Sequence, residues 1–272
     1  MEYEIRPAGK FSLGLRELWE FRELFYFFTW RDIKIKYKQT VLGAAWAILQ
    51  PLLMMVIFTL FFSRTLNIPS NNIPYPIFVF SGLLLWNVFA TSLTNAGNSM
   101  VNNANIIKKI YFPRLIIPIS SVLSALADFV MALVVYFALL IYYHDAHLIP
   151  QLLLVLPLSI FITILSSFGL GSFLAAVNVK YRDFRYVIPF LIQILIFLTP
   201  IIYPVSIIKI PWVVQLLQLN PMAGAIELLR SVINQSSIDW ILTAKSLFIS
   251  FLLLFTGVFY FRKTEYYFAD LA

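Results

Sequence analysis

Nucleotide hydrolysis needs a glycine loop that cradles phosphate and ends in Gly-Lys-Ser/Thr. Gly9-Lys10 is the only Gly-Lys pair, Phe11 follows it, and no glycine stands five residues earlier. The chain therefore holds no ATP site. His144-Asp145-Ala146-His147 has spacing that suits a metal, but no third or fourth ligand lies nearby. Closed metal sites take four ligands, so none is assigned. No nucleophile, base and orienting group stand together as a set, so the chain is read as a non-enzyme. Asp128 is the clear case of an acid midway along an apolar run long enough to span. An intramembrane carboxylate either acts in transport or pairs with a polar group on a neighbouring helix, and both readings stay open. A proton- or sodium-driven carrier usually buries several such groups, so one is thin support for it.

The basic residues offer a second kind of chemistry. Lys180-Tyr181-Arg182-Asp183-Phe184-Arg185 presents arginine forks that match phosphate, or serves only as a topology signal. Asn105-Ile106-Ile107-Lys108-Lys109-Ile110-Tyr111-Phe112-Pro113-Arg114 is both apolar and basic. It reads as a positive anchor, or as a short helix that docks in a groove of a cytoplasmic partner.

Composition dictates what holds these groups. Hydrophobic residues make up 61% of the chain and charged residues only 12%. Soluble domains sit nearer 45–50% and 25%, so lipid must cover much of the surface. The net charge of +7 gathers beside apolar runs, which favours an anionic membrane face over nucleic acid. With no cysteine, disulfides and thiolate metal sites are excluded. The first 23 residues alternate charge and hydrophobe rather than forming a secretory signal, and are expected to lie along the membrane surface.

A bilayer core needs roughly 20 apolar helical residues. Six stretches predict spans: Leu42–Phe62, Ile77–Leu93, Leu115–Tyr143, Leu152–Val177, Val187–Tyr203 and Ile241–Phe261. Sixteen Lys and Arg fall on one side of this arrangement and four on the other, so both termini are expected in the cytoplasm. Residues 206–240 hold two apolar stretches, Ile207–Leu219 and Met222–Ile233, split by Asn220-Pro221. Each is too short to span, which predicts a helical hairpin dipping into the outer leaflet. Glu227 and Arg230 stand three apart and could pair.

Four passages carry a resemblance. They are Phe28–Gly43 with Trp46 and Pro51, Ile107–Pro113, Asn178–Asp183 running on to Leu198-Thr199-Pro200-Ile201, and Leu219-Asn220-Pro221-Met222 with Arg230. Together they make the chain resemble the membrane subunit of a type-2 ABC exporter, in the branch that exports O-antigen, capsule or teichoic acid. The resemblance implies an all-α integral membrane fold with six transmembrane helices, an N-terminal amphipathic interface helix and a re-entrant hairpin before helix 6. It implies one domain over 1–272: tail and interface helix 1–40, spans 1–5 over 41–205, hairpin 206–240, span 6 over 241–262, and a cytoplasmic tail 263–272.

In that family two such chains pair above two ATPase chains, which carry the ATP and Mg; this chain holds no cofactor. The cargo implied is a polyprenyl-diphosphate-linked glycan, moved across the bacterial inner membrane. By resemblance, Ile106, Ile107, Lys108, Lys109, Ile110 and Tyr111 couple to the ATPase. Arg31, Lys34, Lys36, Lys38, Arg182 and Arg185 receive the lipid diphosphate at the inner surface. Phe58, Phe61, Phe62, Phe190, Phe197 and Tyr203 are the candidates for an aromatic pore. Phe58, Phe61 and Phe62 share one helical face, as do Phe190 and Phe197. Two other readings stay open: a type-2 exporter of a small drug or lipid, and a membrane enzyme on lipid-linked sugar using Asp128 or Glu227.

Overall fold

The computed structural model describes residues 15–38, 43–68, 70, 73–266 and 268. Residues 1–14, the start of the first predicted span at Leu42 and the last four residues lie outside the described set. Among the described residues the chain is all-α. The helices are α1 (Leu15–Glu20), α2 (Arg22–Lys38), α3 (Gly43–Phe58), α4 (Tyr75–Asn102), α5 (Ala104–Ile107), α6 (Ile116–Tyr142), α7 (Ile149–Lys180), α8 (Phe184–Leu198), α9 (Pro211–Gln218), α10 (Pro221–Ile233) and α11 (Trp240–Glu265). A π-helical turn, Thr59–Thr65, prolongs α3.

Five of these elements are long and apolar enough to cross a membrane: α3 with its π turn, α4, α6, α7 and α11. The protein is an all-α integral membrane protein. The fifth predicted span is shorter than its apolar run. Pro200 lacks an N–H and Thr199 is extended, so α8 stops at Leu198 after 15 residues. That is roughly 22 Å at 1.5 Å per residue, less than the hydrocarbon thickness. The second span is longer than predicted. Its apolar run fades after Leu93, but the helix continues through Thr94, Asn95, Asn98 and Ser99 to Asn102.

α4 is the central helix. Its buried residues run from Tyr75 to Met100, with α6 and α7 packed along it. Helices α9 and α10 occupy the place of the predicted hairpin. Asn220 separates them and caps α10, its Oδ1 accepting from the Met222 N–H at 3.0 Å, with Pro221 in the first helical position. Almost all of α10 is buried, against α7, α11 and α4. Short helices buried this way are part of the core rather than a covering on it.

A groove with unpaired amides and its supports

Asn87, Thr91, Thr94 and Asn95 lie at i, i+4, i+7 and i+8 on α4, and so on one face. That face forms the floor of a groove of about 680 Å³. Gln50, Met54 and Phe58 of α3 make one wall, and Ile192, Gln193, Ile196 and Phe197 of α8 make the other. Polar side chains at membrane depth turn toward protein or a water-filled cavity, because hydrocarbon cannot solvate them. Thr94 satisfies its hydroxyl locally, donating to the Ala90 carbonyl at 2.8 Å. The side-chain amides of Gln50, Asn87, Asn95 and Gln193 make no hydrogen bond among the described residues. Each amide brings two donors and an acceptor. The groove is thus a surface of unused hydrogen-bonding groups bordered by rings.

Of the residues expected in an aromatic pore, Phe58 and Phe197 line this groove. Phe62 packs edge-on against Phe58 at 5.8 Å. Phe61 and Phe190 are exposed and outside the lining. Tyr203 donates its hydroxyl to the Phe197 carbonyl at 2.8 Å, and so braces the wall without joining it.

The six basic residues divide into separate settings. Arg182 and Arg185 line a pocket of about 390 Å³ with Val101, Ala104, Asn178, Val179, Asp183 and Tyr186. Arg31 pairs with its neighbour Asp32 at 2.8 Å and lies over the Phe28 ring at 4.7 Å. Lys34 and Lys38 are exposed. Lys36 pairs with Asp128. One chain does not bring the six into a single site.

The segment expected to couple to a partner begins as the single turn α5 and continues as an irregular bend. Ile107 points inward, packed with Phe28 and Phe112. Lys108, Lys109, Ile110 and Tyr111 face outward. The Arg114 N–H donates to Glu265 Oε1 at 3.2 Å, which ties the far end of the segment to the last turn of α11.

A family model described as ABC-2 type transporter matches residues 23–234. The chain belongs to the ABC-2 type transporter family. An O-antigen export system permease protein of Klebsiella pneumoniae is 30% identical over 92% of this chain and 95% of its own length. One from Myxococcus xanthus is 32% identical over 77% and 80%. A polysialic acid transport protein of Escherichia coli is 26% identical over 75% and 78%.

Two charges of this ABC-2 chain find partners that sequence reasoning did not supply. Asp128 on α6 accepts from both Lys36 and Tyr37 at the end of α2. Burial first, and then the Asp128 carboxylate, push the Tyr37 phenol above its ordinary range. The carboxylate therefore pins the interface helix to α6. Asp128→Asn should lower thermal stability by about 1 kcal/mol, since Lys36 is half exposed. Asp128→Leu should cost about 2–3 kcal/mol, because Tyr37 also loses its acceptor. Melting of the purified protein in detergent checks that order. An Asp128→Asn chain that melts normally but no longer transports would return the carboxylate to a transport role.

Arg230 departs further from expectation. Among the ion pairs of the described residues none joins it to Glu227. Its side chain is instead fully buried and turned toward α4 and the end of α8. The available signal was the arginine's position inside the apolar run Leu228-Leu229-Arg230-Ser231-Val232. Just past the same end of α10, His147 Nε2 and Gln235 Nε2 meet at 3.3 Å and link the 144–148 loop to the start of the α10–α11 connection.

Proposed function

We propose that this chain is the membrane subunit of an ATP-driven exporter for a cell-surface polysaccharide linked to polyprenyl diphosphate. O-antigen, capsule and teichoic acid are the cargo types considered, and the relatives named for O-antigen export and polysialic acid transport support a polysaccharide cargo. Two copies face one another across α3 and α8, and two ATPase chains sit beneath. The chain lies in a bacterial inner membrane with both termini cytoplasmic, a reading supported by the sixteen-to-four split of basic residues. α8 serves as a short fifth span, and α9–α10 re-enter from the outer side.

The observation that carries the cargo class is the groove. A small lipophilic molecule gains from apolar walls and loses by desolvating amides. Four unpaired amides beside Phe58 and Phe197 suit a chain of sugar rings, whose hydroxyls take the amides and whose faces slide on the aromatics. The Arg182–Arg185 pocket supplies forks for a diphosphate where the lipid end arrives.

The test combines cargo and groove. The chain and its ATPase are purified from a strain making the glycan, and the lipid-linked material is identified by mass spectrometry. Export is then compared in Asn87→Leu with Gln193→Leu. Removing two amides should slow export roughly thirtyfold while assembly and ATP hydrolysis persist, at about 1 kcal/mol per lost hydrogen bond. Unchanged glycan export, or co-purification of a lipophilic molecule without sugar, sinks the polysaccharide reading.

A further inference from the structure

The C-terminal end of α8 is held by other elements. Past Leu198 the backbone leaves helical geometry, and the carbonyls of Pro200, Ile201 and Ile202 have no place in a helix. Each is met by a side chain from elsewhere. Arg230 Nη1 donates to the Pro200 carbonyl at 2.5 Å, and Nη2 to that of Ile201 at 2.7 Å. The Tyr75 hydroxyl donates to the Ile202 carbonyl at 2.7 Å. Asn220 Nδ2 reaches Thr199 Oγ1 at 2.7 Å.

Arg230 is the centre of this set. It is 1% exposed, and the acceptors around it are neutral. Besides the two α8 carbonyls, Nη2 donates to the Phe78 carbonyl at 3.0 Å and Nε to Ser81 Oγ at 3.4 Å, both on α4. The guanidinium also lies 3.6 Å from the centre of the Phe78 ring. Space for it comes from Gly82. A Cβ there would stand 3.0 Å from Nη2 and 3.1–3.2 Å from Ile201. A buried arginine whose hydrogen bonds reach no carboxylate is a costly way to fill volume, and packed apolar residues would serve stability as well or better. What the planar fork does add is geometry, since five donors in a fixed plane can hold two elements at one separation.

α8 carries Ile192, Gln193, Ile196 and Phe197 into the groove, so its end position fixes that wall. We propose that Arg230, seated in the space left by Gly82, is a positioning residue for transport. It clamps the C-terminal end of α8 to α4 and α10, and so sets where Gln193 and Phe197 stand. The transport consequence rests on the export reading; the clamp itself does not.

The experiment uses the assembled complex with its ATPase. A cysteine placed at Gln193, in a chain with no other, reports the wall through its rate of reaction with a small water-soluble thiol reagent. In Arg230→Gln that rate should shift several-fold, while a control cysteine at Tyr142 reacts as before. In the cysteine-free chain, glycan export should fall by about tenfold, as expected when a positioned group is displaced by a fraction of an ångström, and ATP hydrolysis should continue. Arg230→Lys keeps the charge and loses the fork, and should fall between. Where Arg230→Gln fails to accumulate, Gly82→Ala displaces the same guanidinium with one methyl and should give the same pattern at smaller size. Wild-type labelling at residue 193 in the variants overturns the clamp. Shifted labelling with normal export keeps the clamp and overturns its positioning role in transport. A wild-type complex that moves no glycan removes the export reading instead, and the labelling result still decides the clamp.

Discussion

Gly257→Ala should unseat α11 from α7 and cost more stability than any surface change in this chain. The two helices touch backbone to backbone at Gly169 and Gly257. A Cβ on Gly257 would stand 1.9 Å from the Gly169 carbonyl oxygen and 2.7 Å from its carbon. A Cβ on Gly169 would stand 2.4 Å from the Leu254 nitrogen. Neither neighbour can rotate away, because both are main chain. Lipid offers helices little hydrophobic reason to associate, so close approach through small residues carries the packing. The same seam holds the Ser166–Ser250 hydroxyl pair at 2.8 Å, which any separation would break. Overpacking ordinarily costs about 1–3 kcal/mol, and a backbone clash belongs at or above the top of that range. Gly97→Ala is the matched comparison. Its added Cβ meets the tip of Ile188 at 2.7 Å and otherwise only ordinary contacts, and that tip can change rotamer. Thermal melting in detergent should therefore place Gly257→Ala well below Gly97→Ala, with Gly257→Leu failing to accumulate. Equal midpoints for the two alanine variants would mean that α7 and α11 slide apart freely.

That contrast was invisible in the sequence, since one-dimensional patterns do not say which glycines meet. Apolar runs were legible. They gave the integral-membrane class and the existence of α3, α4, α6, α7 and α11, because lipid selects for hydrophobic length. They misjudged boundaries for a physical reason. Hydropathy detects contact with lipid, and α4 continues through Thr94, Asn95 and Asn98, of which Thr94 and Asn95 face the groove. The same error hid the groove. Asn87 and Thr91 lie inside the second predicted span and Thr94 and Asn95 just beyond it, although their spacing puts all four on one face. Aromatic spacing pointed to Phe58 and Phe197 but carried no signal for the amides between them. Asp128 was readable as a buried acid, yet its partners lie 91 and 92 residues away. In sequence Arg230 reads as part of the outer-leaflet hairpin, within reach of Glu227. What offsets the cost of burying it is backbone carbonyls of Phe78, Pro200 and Ile201, and no residue type announces a free carbonyl.

Ile110→Asp should detach the ATPase from an intact membrane subunit, whereas Ile107→Asp should prevent the subunit from accumulating. The two isoleucines stand one turn apart in the segment read as the coupling helix, and the fold gives them opposite settings. Ile107 is 5% exposed and packs with Phe28 and Phe112, so it holds α2 and the α5 bend together. Ile110 is 62% exposed, with Tyr111 beside it at 58%. The Arg114–Glu265 contact steadies the base of this segment. A large apolar side chain held outward on a basic, braced bend is suited to a pocket on another protein. A carboxylate placed in either apolar setting costs several kcal/mol, but the cost falls on different equilibria. At Ile107 it acts on this chain's own folding, and the yield of membrane-inserted protein should collapse. At Ile110 it acts on association, so yield and melting should match wild type while ATPase co-purification is lost. Tyr111→Asp should behave as Ile110→Asp does, with a smaller loss because the phenol tip already tolerates water. Pull-down of the ATPase against subunit yield separates the two equilibria. If Ile110→Asp retains its ATPase and its transport, the coupling contact lies elsewhere on the inner surface. If Ile107→Asp accumulates normally and only then loses the ATPase, the inward packing of Ile107 has been misassigned.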